Sequence, residues 1–212
     1  MNDVGSPRVK RPRYKPTNGA RARDYTVRRI PHAAAAQFIV ANHYARGCSN
    51  TSTEAYGLFR DDALVGAALW MPPTRVAAES VDPFDWRRVL ALSRLALAQA
   101  EPTNAESFFI GAMLRTINSE RRWTYVITYA DESQGHDGTI YRATAWRYLG
   151  RTKPEQRWED ANGKQVSKLA TKTRTSAQMR DLGHAMVGKF CKHKFARIFD
   201  VGIAQCPVSY TH

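Results

Sequence analysis

The stretch from Tyr125 to Gly150, YVITYADESQGHDGTIYRATAWRYLG, constrains this chain more than any other. Tyr125-Val126-Ile127-Thr128-Tyr129 is a short apolar run rich in β-branched and aromatic residues, the composition of a buried strand. It stops at Ala130-Asp131. A polar loop with two glycines follows, and Thr139 is placed to cap a short helix from Ile140 to about Trp146. Strand, polar loop, helix is how α/β folds build sites, because groups at a strand's carboxyl end face a crevice that helices leave open. The spacing sets Asp131 at the strand end, His136 in the loop and Tyr141 on the helix's first turn. Each has an ordinary alternative: a loop cap for Asp131, a surface position for His136, a core-edge ring for Tyr141.

The rest of the chain supplies elements around that unit. Asp24 to Ile30 alternates as a strand, and Pro31 opens an alanine-rich helix that ends near Asn42-His43-Tyr44. His43 and Tyr44 thus sit at a helix end facing a loop, where functional groups are common. His43 also suits a C-terminal cap. Residues 55–60 and 63–70 read as a hairpin turning at Asp61-Asp62. Residues 75–90 read as irregular, anchored by Phe84 and Trp86. Leu92 to Leu97 is a strand, and Thr103 with Glu106 fits a capping box opening a helix to about Arg121. Ser107 lies in that helix's first turn, where free N–H groups bind anions. Trp158 to Val166 contains an Asn-Gly hairpin signal, residues 168–180 read as a polar basic segment, and residues 181–191 as a helix.

Charge divides the chain in three. The formal net charge is +13. Residues 1–23 carry +6, residues 24–146 carry −1, and residues 147–212 carry +8. A neutral body with cationic ends points to a polyanion, most economically nucleic acid. The proline-rich start, with Arg8, Lys10, Arg11, Arg13 and Lys15, reads as a disordered arm that neutralises phosphates. Lys189, Lys192 and Lys194 interleave with Phe190, Phe195 and Phe199, a pattern that suits a nucleic-acid face or a core edge. Residues 24–212 read as one domain. No apolar run approaches the ~20 residues of a membrane span, and the start lacks a secretory h-region. Cys48, Cys191 and Cys206, odd in number and widely spaced, suit a reducing cytoplasm.

The order strand–helix–hairpin, then strand–helix–strand–helix–hairpin, resembles the GNAT acyltransferase fold: an α/β (α+β) chain with a mixed, mostly antiparallel sheet flanked by helices. Three motifs narrow the resemblance. They are Asn42-His43-Tyr44, LSRLAL at 92–97 with Ser107, and YAD at 129–131 followed by GHDGTIYRATAW at 135–146 and YLG at 148–150. Together they resemble the Mom family of phage DNA-modification proteins, over roughly residues 25–200.

That resemblance implies an enzyme placing a carbamoylmethyl group on adenine N6 in DNA and shielding it from restriction. It implies DNA as partner, the host cytoplasm as location, and His43, Tyr44, Ser107, Asp131 and Tyr141 as catalytic residues. Tyr56, His136 and Thr139 are expected around the substrate. A competing assignment makes His43, His136 and Asp131 a metal site. Acetyl-CoA-dependent GNAT members carry a glycine-rich turn whose N–H groups cradle pyrophosphate. Here that place reads QAEPTNAE at 99–106, without glycine, so ordinary acetyl-CoA use is not expected and the donor stays open. Two other classes fit parts of the sequence: a GNAT enzyme acylating a protein or small molecule, and a noncatalytic DNA-binding module. Oligomeric state is left open, a dimer included.

Overall fold

A computed structural model describes residues 21–199, apart from 46, 103 and 164. The basic arm from Arg8 to Lys15, and Cys206, lie outside the described residues. Among these residues no helix is long and apolar enough to cross a membrane.

The elements are β1 (Tyr25–Arg29), α1 (His32–Asn42), β2 (Glu54–Arg60), β3 (Ala63–Met71), α2 (Arg75–Glu79), β4 (Val89–Leu97), α3 (Ala105–Ser119), β5 (Tyr125–Asp131), α4 (Thr139–Ala143), β6 (Arg147–Arg151), β7 (Glu155–Glu159), α5 (Lys168–Lys172), α6 (Ser176–Asp181), β8 (Ala185–Phe190) and β9 (Lys192–Ile198). Seven strands form one sheet in the order β1-β2-β3-β4-β5-β9-β6, and β7 pairs with β8 in a separate ribbon. Only β4 and β5 run parallel; the other pairings are antiparallel. The expected mixed, mostly antiparallel sheet flanked by helices is therefore present.

Strand alternation sorts the core onto two faces. Trp70 of β3 and Leu90 and Leu92 of β4 point to α3, where Phe109, Ile110, Met113 and Ile117 meet them fully buried. Ala67 and Leu69 point to the opposite face, against Ala35 and Ile39 of α1. Val89, Ala91 and Ile127 continue that second face under Ala78 of α2. Covering both faces explains why these strands read as continuous apolar runs. Each fully buried large apolar side chain contributes about 1.5–3 kcal/mol.

One pairing feature makes the site. β4 and β5 are in register only at Val89–Tyr125, Leu90–Val126 and Ala91–Ile127. Each strand runs on, β4 to Leu97 and β5 to Asp131, still paired on its outer side with β3 and β9. The sheet forks between Leu92 and Thr128. The Thr128 hydroxyl donates to the Leu92 carbonyl at 3.3 Å, just where the strands part.

Several local expectations are corrected. Residues 75–90 hold α2 and a short 3₁₀ turn, and Phe84 is 96% exposed, so it anchors nothing. The cap of α3 is Asn104, which makes no side-chain capping bond, and Thr103 lies outside the described residues. Thr139 is the first residue of α4, whose cap is Gly138; its N–H and hydroxyl both go to the Asp137 carboxylate. The basic segment contains α5 and α6, with a true capping box between Thr175 and Gln178. Residues 185–190 form β8 instead of a helix, because Gly183 ends α6 in the left-handed region and β7 offers a free edge. The turn at Asn162-Gly163 is present, but the chain returns to β7 only as a bridge between Glu159 and Gln165.

Candidate active site

A cavity of about 630 Å³ fills the fork. Leu92, Ser93, Arg94 and Leu95 form one wall and Thr128 to Asp131 the other. Because the strands are parted there, the cavity touches Ala77 of α2 on one face and Tyr141 of α4 on the other. His43 and Tyr44, delivered by the end of α1, His136 from the loop after β5, and Thr139 at the start of α4 close its mouth. Segments far apart along the chain thus meet in one space.

Asp131 is held from one side only. Its Oδ1 accepts from the Ser133 backbone N–H at 3.0 Å and from the Ser133 hydroxyl at 2.7 Å. Among the described residues, Oδ2 has no hydrogen-bond partner, so that oxygen is available for chemistry. The carboxylate both caps its loop and lines the cavity, and the two readings of Asp131 are compatible.

His43 is stacked on Tyr44, with ring centroids 4.2 Å apart, and Tyr44 meets the His136 ring edge-on at 5.7 Å. Burial, then the charge of Arg94 and then His136, lower the His43 pKa to about 4. The imidazole is therefore neutral at physiological pH. Its Nδ1 accepts the Ala45 N–H at 3.1 Å, which leaves the proton on Nε2. His43 is consequently a hydrogen-bond donor to the cavity. Burial and the Asp131 charge hold the Tyr44 phenol up, to about 12, so it too keeps its proton.

The low value for His43 has a stability consequence. Below pH 6.5 the unfolded chain takes up this proton while the folded chain does not until about pH 4. Stability should therefore drop as pH falls through that window. His43→Gln should show a shallower drop, measured as urea midpoints at pH 7 and pH 5. Equal slopes for the two proteins would mean that His43 is not held neutral.

Tyr141 is buried and packs against Trp146 at 5.6 Å and Phe195 at 5.3 Å, with burial raising its phenol to about 12. Its placement depends on Gly138, which adopts a φ of +80° against the Phe195 ring. A Cβ there would come within 2.2 Å of that ring. Gly138→Ala should cost about 3 kcal/mol, combining left-handed strain with overpacking. A melting temperature within a degree or two of wild type would contradict that packing.

Two expected site residues lie elsewhere. Tyr56 is 1% exposed in the core, with the Arg29 guanidinium over its ring, so it cannot stack on a substrate. The alternation of β2 points it toward α3. The Ser107 hydroxyl turns back to the Asn104 carbonyl at 2.9 Å, and Glu106 of the same turn lines the cavity instead. The three lysines also separate. Lys192 lines the cavity, Lys189 is exposed on the ribbon, and Lys194 donates to Ser80, with burial lowering its pKa. Phe195 and Phe199 are core residues, which is the ordinary reading of that aromatic pattern.

Sequence reasoning missed Arg94. Its Nε donates to the Gly47 carbonyl at 3.0 Å and its Nη1 to the Ser93 carbonyl at 2.7 Å. Among the described residues no carboxylate pairs with it. An uncompensated cation in a half-buried wall is a ready anion partner. Among the described residues, no group of three His, Cys, Asp or Glu side chains is arranged to hold a metal ion.

Solved structures define the fold class. The chain is similar to an agmatine N-acetyltransferase, with 10% identity, a TM-score of 0.51, and coverage of 83% of this chain and 100% of that one. It is similar to the ribosomal-protein-S18-alanine N-acetyltransferase of Escherichia coli, with 8% identity, a TM-score of 0.52, and coverage of 85% and 97%. The fold is that of the GNAT acetyltransferases. Within it, residues 24–200 match the Mom protein family, and the chain belongs to that family. It is 30% identical over 141 residues to the methylcarbamoylase mom of Escherichia phage Mu, covering 62% of this chain. That match spans 56% of the phage Mu protein, just over half its length.

The GNAT fold raises the question of an acyl-CoA diphosphate. The loop between β4 and α3 has spent the N–H groups of Ala98, Glu101 and Ala105 on the carbonyls of Val65, Ala98 and Pro102. Pro102 has none to give. The Glu101 carboxylate turns inward, accepting from the Tyr25 hydroxyl at 2.5 Å and from Arg60 at 3.1 Å. Three N–H groups of this loop are thus already committed to carbonyls of the fold.

Proposed function

We propose that the chain is a transferase that modifies adenine in DNA, placing a carbamoylmethyl group on the exocyclic N6. The observation that carries this reading is the meeting of His43, Tyr44, Asp131 and Tyr141 in one cavity, in a member of the Mom family. The phage Mu relative is named a methylcarbamoylase, which supports transfer of a group of this composition. The high content of basic residues, giving +13 overall, supports DNA as partner.

Adenine N6 is a poor nucleophile, since its lone pair is delocalised into the ring. It is also paired inside a duplex, so the base must be extruded at a cost of about a few kcal/mol. A flipped adenine fits the fork, with Tyr44 offering a ring to stack on. The N6 lone pair attacks the methylene carbon of an electrophilic carbamoylmethyl donor. The N–C bond forms as the bond to the donor's leaving group breaks, and that group departs with the electron pair. Asp131 Oδ2 accepts the N6 proton. The Nε2–H of neutral His43 donates a hydrogen bond to the bound substrates. The donor is held in a way that does not use a glycine-rich diphosphate turn.

Protection of DNA tests this. Plasmid from cells expressing the chain should resist restriction enzymes whose sites contain adenine, and plasmid from Asp131→Asn cells should be cut. Complete cutting of the wild-type plasmid, with robust expression, would remove the anti-restriction reading. The alternative of acylating a protein or small molecule rests on the GNAT fold alone.

A further inference from the structure

We propose that a second cavity beside the first is a subsite for the nucleotide adjoining the target adenine; this rests on the adenine reading above. The second cavity has a volume of about 320 Å³ and lies between the end of β5 and the β7–β8 ribbon. Asp131, Glu155 and Lys192 line both cavities, so the two are contiguous. A base entering the first cavity stays attached to its neighbours through the backbone. The adjoining space, reached past Lys192, is where the next nucleotide is led.

The lining suits a nucleotide. Lys172 and Lys192 place cations for the phosphate. Phe190, half-buried, offers an apolar ring for a base to stack on. Gln165 carries an amide, which both donates and accepts, the capacity needed to read a base edge. Arg157 stiffens the wall. Its Nη2 pairs with Glu159 at 2.9 Å.

The subsite is also wired to the reacting carboxylate. Arg157 Nη1 donates to the Ser133 hydroxyl at 2.5 Å, and that hydroxyl donates to Asp131 Oδ1 at 2.7 Å. Contacts made in the second cavity therefore bear on a group that positions Asp131. The neighbour base selects which adenines react, as well as which DNA binds.

Sequence context tests the proposal. DNA from cells expressing wild type, Gln165→Ala or Phe190→Ala is sequenced for the bases flanking each modified adenine, and the melting temperature of each protein is measured. Wild type should favour particular bases at one flanking position. Gln165→Ala, a change at an exposed side chain, should reduce that preference about tenfold, the usual worth of a base-edge contact. Phe190→Ala should weaken it in the same position. Wild-type modification of adenine with no flanking preference, or with a preference the variants retain, overturns the subsite alone. A wild-type chain that leaves adenine unmodified overturns the adenine reading and the subsite with it.

Discussion

Replacing Asp131 with asparagine is expected to cut adenine modification by about 100-fold or more, the usual scale for losing an acid–base group. The substitution keeps the shape of the side chain. Oδ1 already accepts from the Ser133 backbone and hydroxyl, and an asparagine oxygen accepts the same bonds, so the loop after β5 is kept. What is lost is the second oxygen, which has no partner among the described residues, on a side chain that lines the cavity. An amide nitrogen in its place cannot take a proton from adenine N6. Melting temperature and low-salt DNA affinity should change little, because phosphate contacts are made by other, basic groups. Asp131→Asn protein that is folded, binds DNA and modifies it at the parent rate would remove this residue from the chemistry.

Arg94→Ala is expected to lower the modification rate by about 10- to 100-fold, the scale of one or two hydrogen bonds to a charged group. In the proposed transfer the departing group leaves with an electron pair, and Arg94 is a cation of the wall with no carboxylate paired to it among the described residues. Its two carbonyl bonds also tie the loop at Gly47, next to Tyr44, to β4. Lysine keeps the charge but lacks the fork needed for both carbonyls, so Arg94→Lys should recover activity only in part. A separate readout isolates the electrostatic share. Arg94 is one of the charges that lower His43, so the alanine variant should let His43 titrate above about 4. An unchanged His43 titration by NMR, with wild-type rates, would contradict the assignment.

The parts of this site that were legible are those that lie close together along the chain. Asp131, His136 and Tyr141 follow from one strand–loop–helix unit, and His43 and Tyr44 from a helix end. These local patterns put those groups at element ends, from which they line one cavity. The fork was not legible. It depends on where β4 and β5 stop pairing, and pairing partners are not written in either strand. Arg94 was hidden for the same reason: within LSRLAL it is an unremarkable alternating position until the neighbouring strand withdraws. Tyr56 and Ser107 failed in the opposite way. Aromatic and hydroxyl residues near the right elements look suitable, but strand alternation buries one and helix back-bonding occupies the other. The capping box at Thr175-Gln178 was readable, yet the density of lysine and arginine around it made the segment look unstructured. Strand β8 is anchored by pairing with β7, a tertiary effect that local composition does not carry.

The chemistry of the site is read most plainly from the nucleoside it makes. DNA from cells expressing the chain is digested to nucleosides and analysed by mass spectrometry beside DNA from cells expressing Asp131→Asn. Wild-type DNA should yield a deoxyadenosine derivative heavier by one carbamoylmethyl group in place of hydrogen, fragmenting with the added mass on the base, and about 100-fold scarcer in the variant. Unmodified deoxyadenosine throughout, or an added mass carried by another base, would contradict it.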